Sequence, residues 1–197
     1  MMRKLLILTF SLYCNIPFAY AETDPWEESY RLEEVFQYDS AINVLRNISS
    51  KNELVSLRRG WLNYLKGAHS RSIEHYKKAL QTNSQSLDAR LGLILPLLKQ
   101  QRWREAAVNA NKVLEVAPWN YYAHVRLMKT EEALKQWEKL FKHADAVNLR
   151  YPSDATILVY LARASHKLGN TKQAKEFYNK VSELFPDNFE AKAYINR

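Results

Sequence analysis

The chain has 197 residues, 47% apolar and 25% charged, with four Gly, six Pro, one Cys and a formal charge of +8. That apolar share supports a packed core and excludes a disordered chain. The scattered Gly60, Gly67, Gly92 and Gly169 form no P-loop or dinucleotide-binding pattern, and a lone Cys14 excludes disulfide frameworks and multi-cysteine metal sites.

Residues 1–21 read as a signal peptide. Arg3 and Lys4 precede an apolar run from Leu5 to Cys14, and Ala19-Tyr20-Ala21 places cleavage after Ala21. The run is too short to cross a bilayer, which takes about 20 residues. Tyr13 is too bulky for the position before a lipid-modified Cys14. The mature chain is expected to lack cysteine and an integral membrane span, and to be periplasmic or secreted from a bacterial cell. Without Arg3 and Lys4 its charge is +6, all of it in residues 99–197, where 17 basic residues face 11 acidic ones.

A period of 34 organises the rest. Ser72, Ala106, Leu140 and Ala174 lie 34 apart, as do Tyr76, Ala110, Ala144 and Tyr178, and Ala79, Val113, Val147 and Val181. Ser84, Pro118, Pro152 and Pro186 close the units, and a shortened first unit fits through Tyr38 to Ile42. Five units follow, at about 22–52, 53–86, 87–120, 121–154 and 155–188, and 189–197 starts a partial capping helix. Apolar residues such as Ala106, Ala110, Val113 and Leu114 keep helical spacing, and breaks such as Gly67–Ser70, Gln100–Arg102 and Gly169-Asn170 split each unit in two. Asp154 and Asn188 can cap the helices that follow the prolines. One helix pair cannot bury its apolar face alone, so the units stack as a solenoid. Pro96 interrupts the run Leu93–Leu98 and stands four residues after Gly92, which predicts a kink that opens the middle of the array.

The pattern resembles the tetratricopeptide repeat family over about residues 22–188. Its marks are Gly60, Tyr64, Gly67, Ser72-Ile73, Tyr76 and Ala79 in the second unit. Trp103–Ala106, Val113 and Pro118 mark the third, and Leu161-Ala162, Gly169, Ala174, Tyr178 and Pro186 the fifth. Arg59, Leu140 and the placement of Gly92 depart from the family pattern. The resemblance implies an all-α, right-handed solenoid whose first helices line a concave groove that takes peptide segments. Carried onto this sequence, the groove offers Leu57, Trp61 and Tyr64, with Leu54 and Leu65 beside them. Next come Leu91, Leu95 and Leu98, then Tyr122 and Lys129, and last Arg163, His166 and Lys167. It should run from apolar to basic and suit an amphipathic segment with acidic groups. The competing reading makes this stripe inter-repeat core, or a face covered by the first unit.

No catalytic constellation is legible, so the chain is expected not to be an enzyme and to need no metal or cofactor. His69, His75, His124, His143 and His166 include no i, i+4 pair, and no Gly-x-Ser-x-Gly turn occurs. The adjacent acids Glu27-Glu28, Glu33-Glu34 and Glu131-Glu132 read as solvated faces. Basic residues are diluted among acids, against nucleic-acid binding. The expected role is a protein-interaction adaptor in an envelope process such as secretion, outer-membrane assembly or polymer export. The alternative is a self-assembling envelope scaffold.

Overall fold

The computed structural model describes residues 24–49 and 52–196; the signal-peptide segment and its cleavage point lie outside the described residues. The described residues contain helices and turns and no strand. The helices are α1 (Pro25–Glu34), α2 (Tyr38–Asn43), α3 (Glu53–Leu65), α4 (His69–Thr82), α5 (Leu87–Lys99) and α6 (Trp103–Val116), followed by α7 (Tyr121–Ala133), α8 (Trp137–Asn148), α9 (Ala155–Lys167), α10 (Thr171–Leu184) and α11 (Phe189–Ile195). First helices begin at Glu53, Leu87, Tyr121 and Ala155, and α11 at Phe189 keeps the same step of 34.

Local chemistry sets these boundaries. Asn52, Ser86, Asn120, Asp154 and Asn188 each accept a hydrogen bond from a backbone N–H two or three residues on, at 2.9–3.1 Å. Each therefore satisfies a donor that the helix start leaves open. The turns inside the pairs place Phe36, Gly67, Gln101, Lys135 and Gly169 at positive φ, the left-handed conformation that ends one helix and starts the next. Glycine supplies it freely at two of these positions; Phe36 holds it with a bulky ring at a steric cost.

The periodic positions are the core. Ser72, Ala106, Leu140 and Ala174 are fully buried, as are Ala79, Ala110, Ala144 and Val181. Along the array α3 packs on α5, α5 on α7 and α7 on α9, whereas second helices make no comparable contact with one another. The first helices therefore crowd the inner surface and the second helices fan out. α5 runs unbroken through Pro96. The bare backbone at Gly92 is filled by the Tyr76 ring: a Cβ there would stand 2.2 Å from Tyr76 Cε1. Among the described residues no helix is long and apolar enough to cross a membrane.

Candidate functional site

The inner surface opens at its N-terminal end. α1 does not pack against α3 as the later first helices pack against one another. Side chains span the gap instead. Arg58 on α3, 6% exposed, pairs with Glu33 of α1 and donates to the Ser29 carbonyl at 2.9 Å and to Ser29 Oγ at 3.1 Å. Its guanidinium lies 3.8 Å from the centre of the Tyr30 ring. Trp61 Nε1 donates to Glu33 Oε1 at 2.7 Å. Glu33 was expected on a solvated face and is a tie between two units.

Between the helices lies an open trough of about 970 Å³. Trp26, Tyr30, Phe36, Tyr38, Leu54, Leu57, Trp61 and Leu65 form its apolar wall, with Tyr76 at its floor. Trp26, Tyr30, Glu33 and Glu34 fall at helical spacing on one stripe of α1. That stripe is why this helix presents aromatic rings to the gap. Tyr30, Phe36 and Leu54 are 55%, 76% and 59% exposed. Large apolar groups left in water around a concavity mark an interaction site more often than a bare surface does.

Of the groove residues expected from sequence, Leu57 and Trp61 line this trough. Tyr64 stacks on Trp61, with ring centroids 5.7 Å apart, and stiffens the wall from outside the lining. Leu91 and Leu98 are half-buried against the core of the second and third units, and Leu95 is half-buried beside them. Tyr122 and Lys129 are exposed further along.

The basic end differs from expectation. Arg163 donates to Glu190 Oε1 at 2.7 Å and to Glu132 Oε1 at 3.0 Å, so two carboxylates already hold its charge. The Glu190 hydrogen bond raises its pKa above the ordinary arginine value. A partner's acid would have to displace them, so Arg163 is not a free cation of the groove. His166 Nδ1 lies 3.2 Å from the Tyr194 hydroxyl, and Lys167 stands 6.0 Å above the Trp137 ring. A cation that sequence reading passed over lies mid-groove. Arg126 donates to the Leu91 carbonyl at 2.7 Å, faces the Tyr122 ring, and is pushed below the ordinary arginine pKa by burial.

A second polar set joins α7 to α8. Glu131, 1% exposed, lies 2.8 Å from His143 Nδ1 and 3.4 Å from Lys139 Nζ. His143 Nε2 lies 2.9 Å from His124 Nδ1, and His124 Nε2 lies 2.9 Å from the Pro118 carbonyl. A carbonyl only accepts, so His124 Nε2 carries a hydrogen. Protonating His124 on Nδ1 as well would place a hydrogen on the nitrogen that faces His143 Nε2.

Burial lowers the His124 pKa from its ordinary value of 6.5, and the nearby His143 lowers it too; the bond to Pro118 and the Glu131 charge oppose them. The folded chain therefore binds this proton less readily than the unfolded one. The stability is present above about pH 6.5 and is lost as pH falls below it. The thermal midpoint should drop between pH 7 and pH 5, and His124→Gln should shrink that drop. His75, also lowered by burial, keeps its share in the variant. The acids held low by ion pairs, such as Glu105, act only below about pH 4.5. An equal drop in both proteins would contradict the assignment.

The tetratricopeptide repeat family profile matches residues 155–188. No curated protein sequence matches the chain. Among solved structures, YrrB, described as a tetratricopeptide repeat protein with an unusual peptide-binding site, superposes with a TM-score of 0.74 at 16% identity. The match covers 88% of this chain and 91% of YrrB. MamA from Desulfovibrio magneticus RS-1 superposes at 0.77 with 18% identity, over 84% of this chain and 95% of its own. A further MamA structure gives 0.74 at 14% identity, over 84% and 92%. These likenesses establish the fold.

Proposed function

We propose, from the tetratricopeptide repeat fold that this chain carries, that it is a non-catalytic adaptor holding a segment of another protein in the trough between α1 and α3. The observation that carries this reading is the trough itself. Tyr30, Phe36 and Leu54 stay exposed although the first unit is bolted beside them, so among the described residues the first unit frames the apolar face and leaves it open. Phe36 adds weight, because a strained, bulky residue turned toward solvent is unfavourable for folding alone. The peptide-binding site described for YrrB agrees in kind. The signal-like segment at residues 1–21 favours export to a bacterial periplasm, with cleavage after Ala21 and a task in secretion, outer-membrane assembly or polymer export.

The second reading, a self-assembling scaffold, draws on the other end of the array. There Phe185 and Phe189 of the final turn and short α11 are 43% and 85% exposed. Sedimentation over a range of concentrations separates the two: the adaptor stays monomeric and the scaffold grows. The adaptor reading is tested with a short synthetic peptide that carries a Leu-Ala-Phe core between serine flanks. Trp61→Ala should weaken its binding by about 2 kcal/mol, as aromatic anchors do, with unchanged hydrogen exchange across residues 25–45 as the control that α1 stays docked. An unchanged affinity would move recognition off this face.

A further inference from the structure

The charges around the trough are not those that the chain as a whole suggests. Among the described residues that line it, the cation is Arg58, and its guanidinium is spent on Glu33, Ser29 and the Tyr30 ring. Glu34 and Asp88 also line it, and neither has a cation within ion-pair distance among the described residues. Glu34 is the last residue of α1, where the helix dipole is negative and adds to its charge. Asp88 occupies in α5 the position that Leu54 holds in α3, one repeat earlier. The aromatic faces of Trp26 and Tyr38 favour a cation as well, in the way that Arg58 sits over the Tyr30 ring.

We infer that the segment held in the trough is apolar at its centre and flanked by lysine or arginine, the reverse of the acidic groups expected from a groove that ends in Arg163, His166 and Lys167. This inference rests on the adaptor reading and names its partner's chemistry. The apolar core would lie on Leu54, Leu57 and Trp61, and its basic flanks would meet Asp88 and Glu34. The net charge of +8 works against such a partner at long range, so any preference for it must arise in the trough.

Three labelled peptides with the same Leu-Ala-Phe core and lysine, serine or glutamate flanks separate the possibilities. Each is titrated by fluorescence anisotropy into the full chain at low salt. The lysine-flanked peptide should bind about tenfold tighter than the glutamate-flanked one, with the serine-flanked peptide between them. Added salt should narrow the gap. The double variant Glu34→Lys, Asp88→Lys should invert the order; both positions are exposed, and circular dichroism checks that its fold is kept. A glutamate-flanked peptide that binds as tightly or tighter would overturn the inference, as would a lysine preference that survives the charge reversal. Equal binding of all three, weakened by Trp61→Ala, would leave the adaptor reading standing and remove only the charge inference. Failure of all three to bind would overturn both.

Discussion

Arg58→Met should loosen α1 and α2 from the array while the later units stay folded. Arg58 is buried and makes the hydrogen bonds that tie Ser29 and Glu33 to α3; without them α1 is held only through α2, which packs on α3, and through the small cluster of Leu32, Ala41 and Leu62. Removing one partner of a buried ion pair costs about 3–5 kcal/mol. The Glu33 side chain keeps 22% of its exposure, so solvent softens the loss and about 2–3 kcal/mol is expected. The cost falls on one edge of a solenoid whose units contact only their neighbours, so it appears as local opening. Native-state hydrogen exchange should accelerate across residues 25–45 and stay unchanged across residues 155–188. Peptide binding should fall with it, because α1 is one wall of the trough. Uniform acceleration along the chain would mean that the bolt serves the whole array.

Gly92→Ala should destabilise the middle of the array by about 1–3 kcal/mol, the usual cost of an overpacked core. Alanine favours a helix interior over glycine by up to about 1 kcal/mol, so the clash has to win. It does so because the new Cβ would stand 2.2 Å from Tyr76 Cε1 and 2.4 Å from Cζ. Retreat of the ring is resisted because it is 4% exposed and packed in one cluster with Leu93, Ile94 and Leu97. Gly60→Ala, with contacts at 3.0 Å, should be close to neutral because its smaller strain is offset by helix propensity. Urea unfolding of the two variants ranks them. Tyr76→Leu in the Gly92→Ala background should recover part of the loss, which additive effects would not do.

The repeat was legible because it is written in volume and polarity. Small or apolar residues recur at 72, 106, 140 and 174 because the same helix crossing recurs there, and all four are buried. Caps were legible for the same local reason, as at Asp154 and Asn188. The polar ties were not. Arg58 and Glu33 lie 25 residues apart, Arg163 lies 31 from Glu132 and 27 from Glu190, and His143 lies 19 from His124. None of these pairs repeats along the array, so periodicity carries no sign of them. Reading each helix alone made Glu33 and Glu131 solvated acids and Arg163 a free cation; stacking brought their partners from the next helix or unit. Gly92 was visible as a departure, but the ring that fills it lies on α4.

A ligand that enters the trough between α1 and α3 must come up against its tryptophans. Of the five tryptophans, Trp26 and Trp61 line it, while Trp103, Trp119 and Trp137 do not. The full chain labelled with 5-fluorotryptophan, its signals assigned by single Trp→Phe variants, therefore reports the location by fluorine NMR. On titration with the lysine-flanked peptide, the Trp26 and Trp61 resonances should move together along one saturation curve while the other three stay in place. Movement of Trp119 or Trp137 with Trp26 and Trp61 unmoved would contradict the account and place recognition elsewhere on the solenoid.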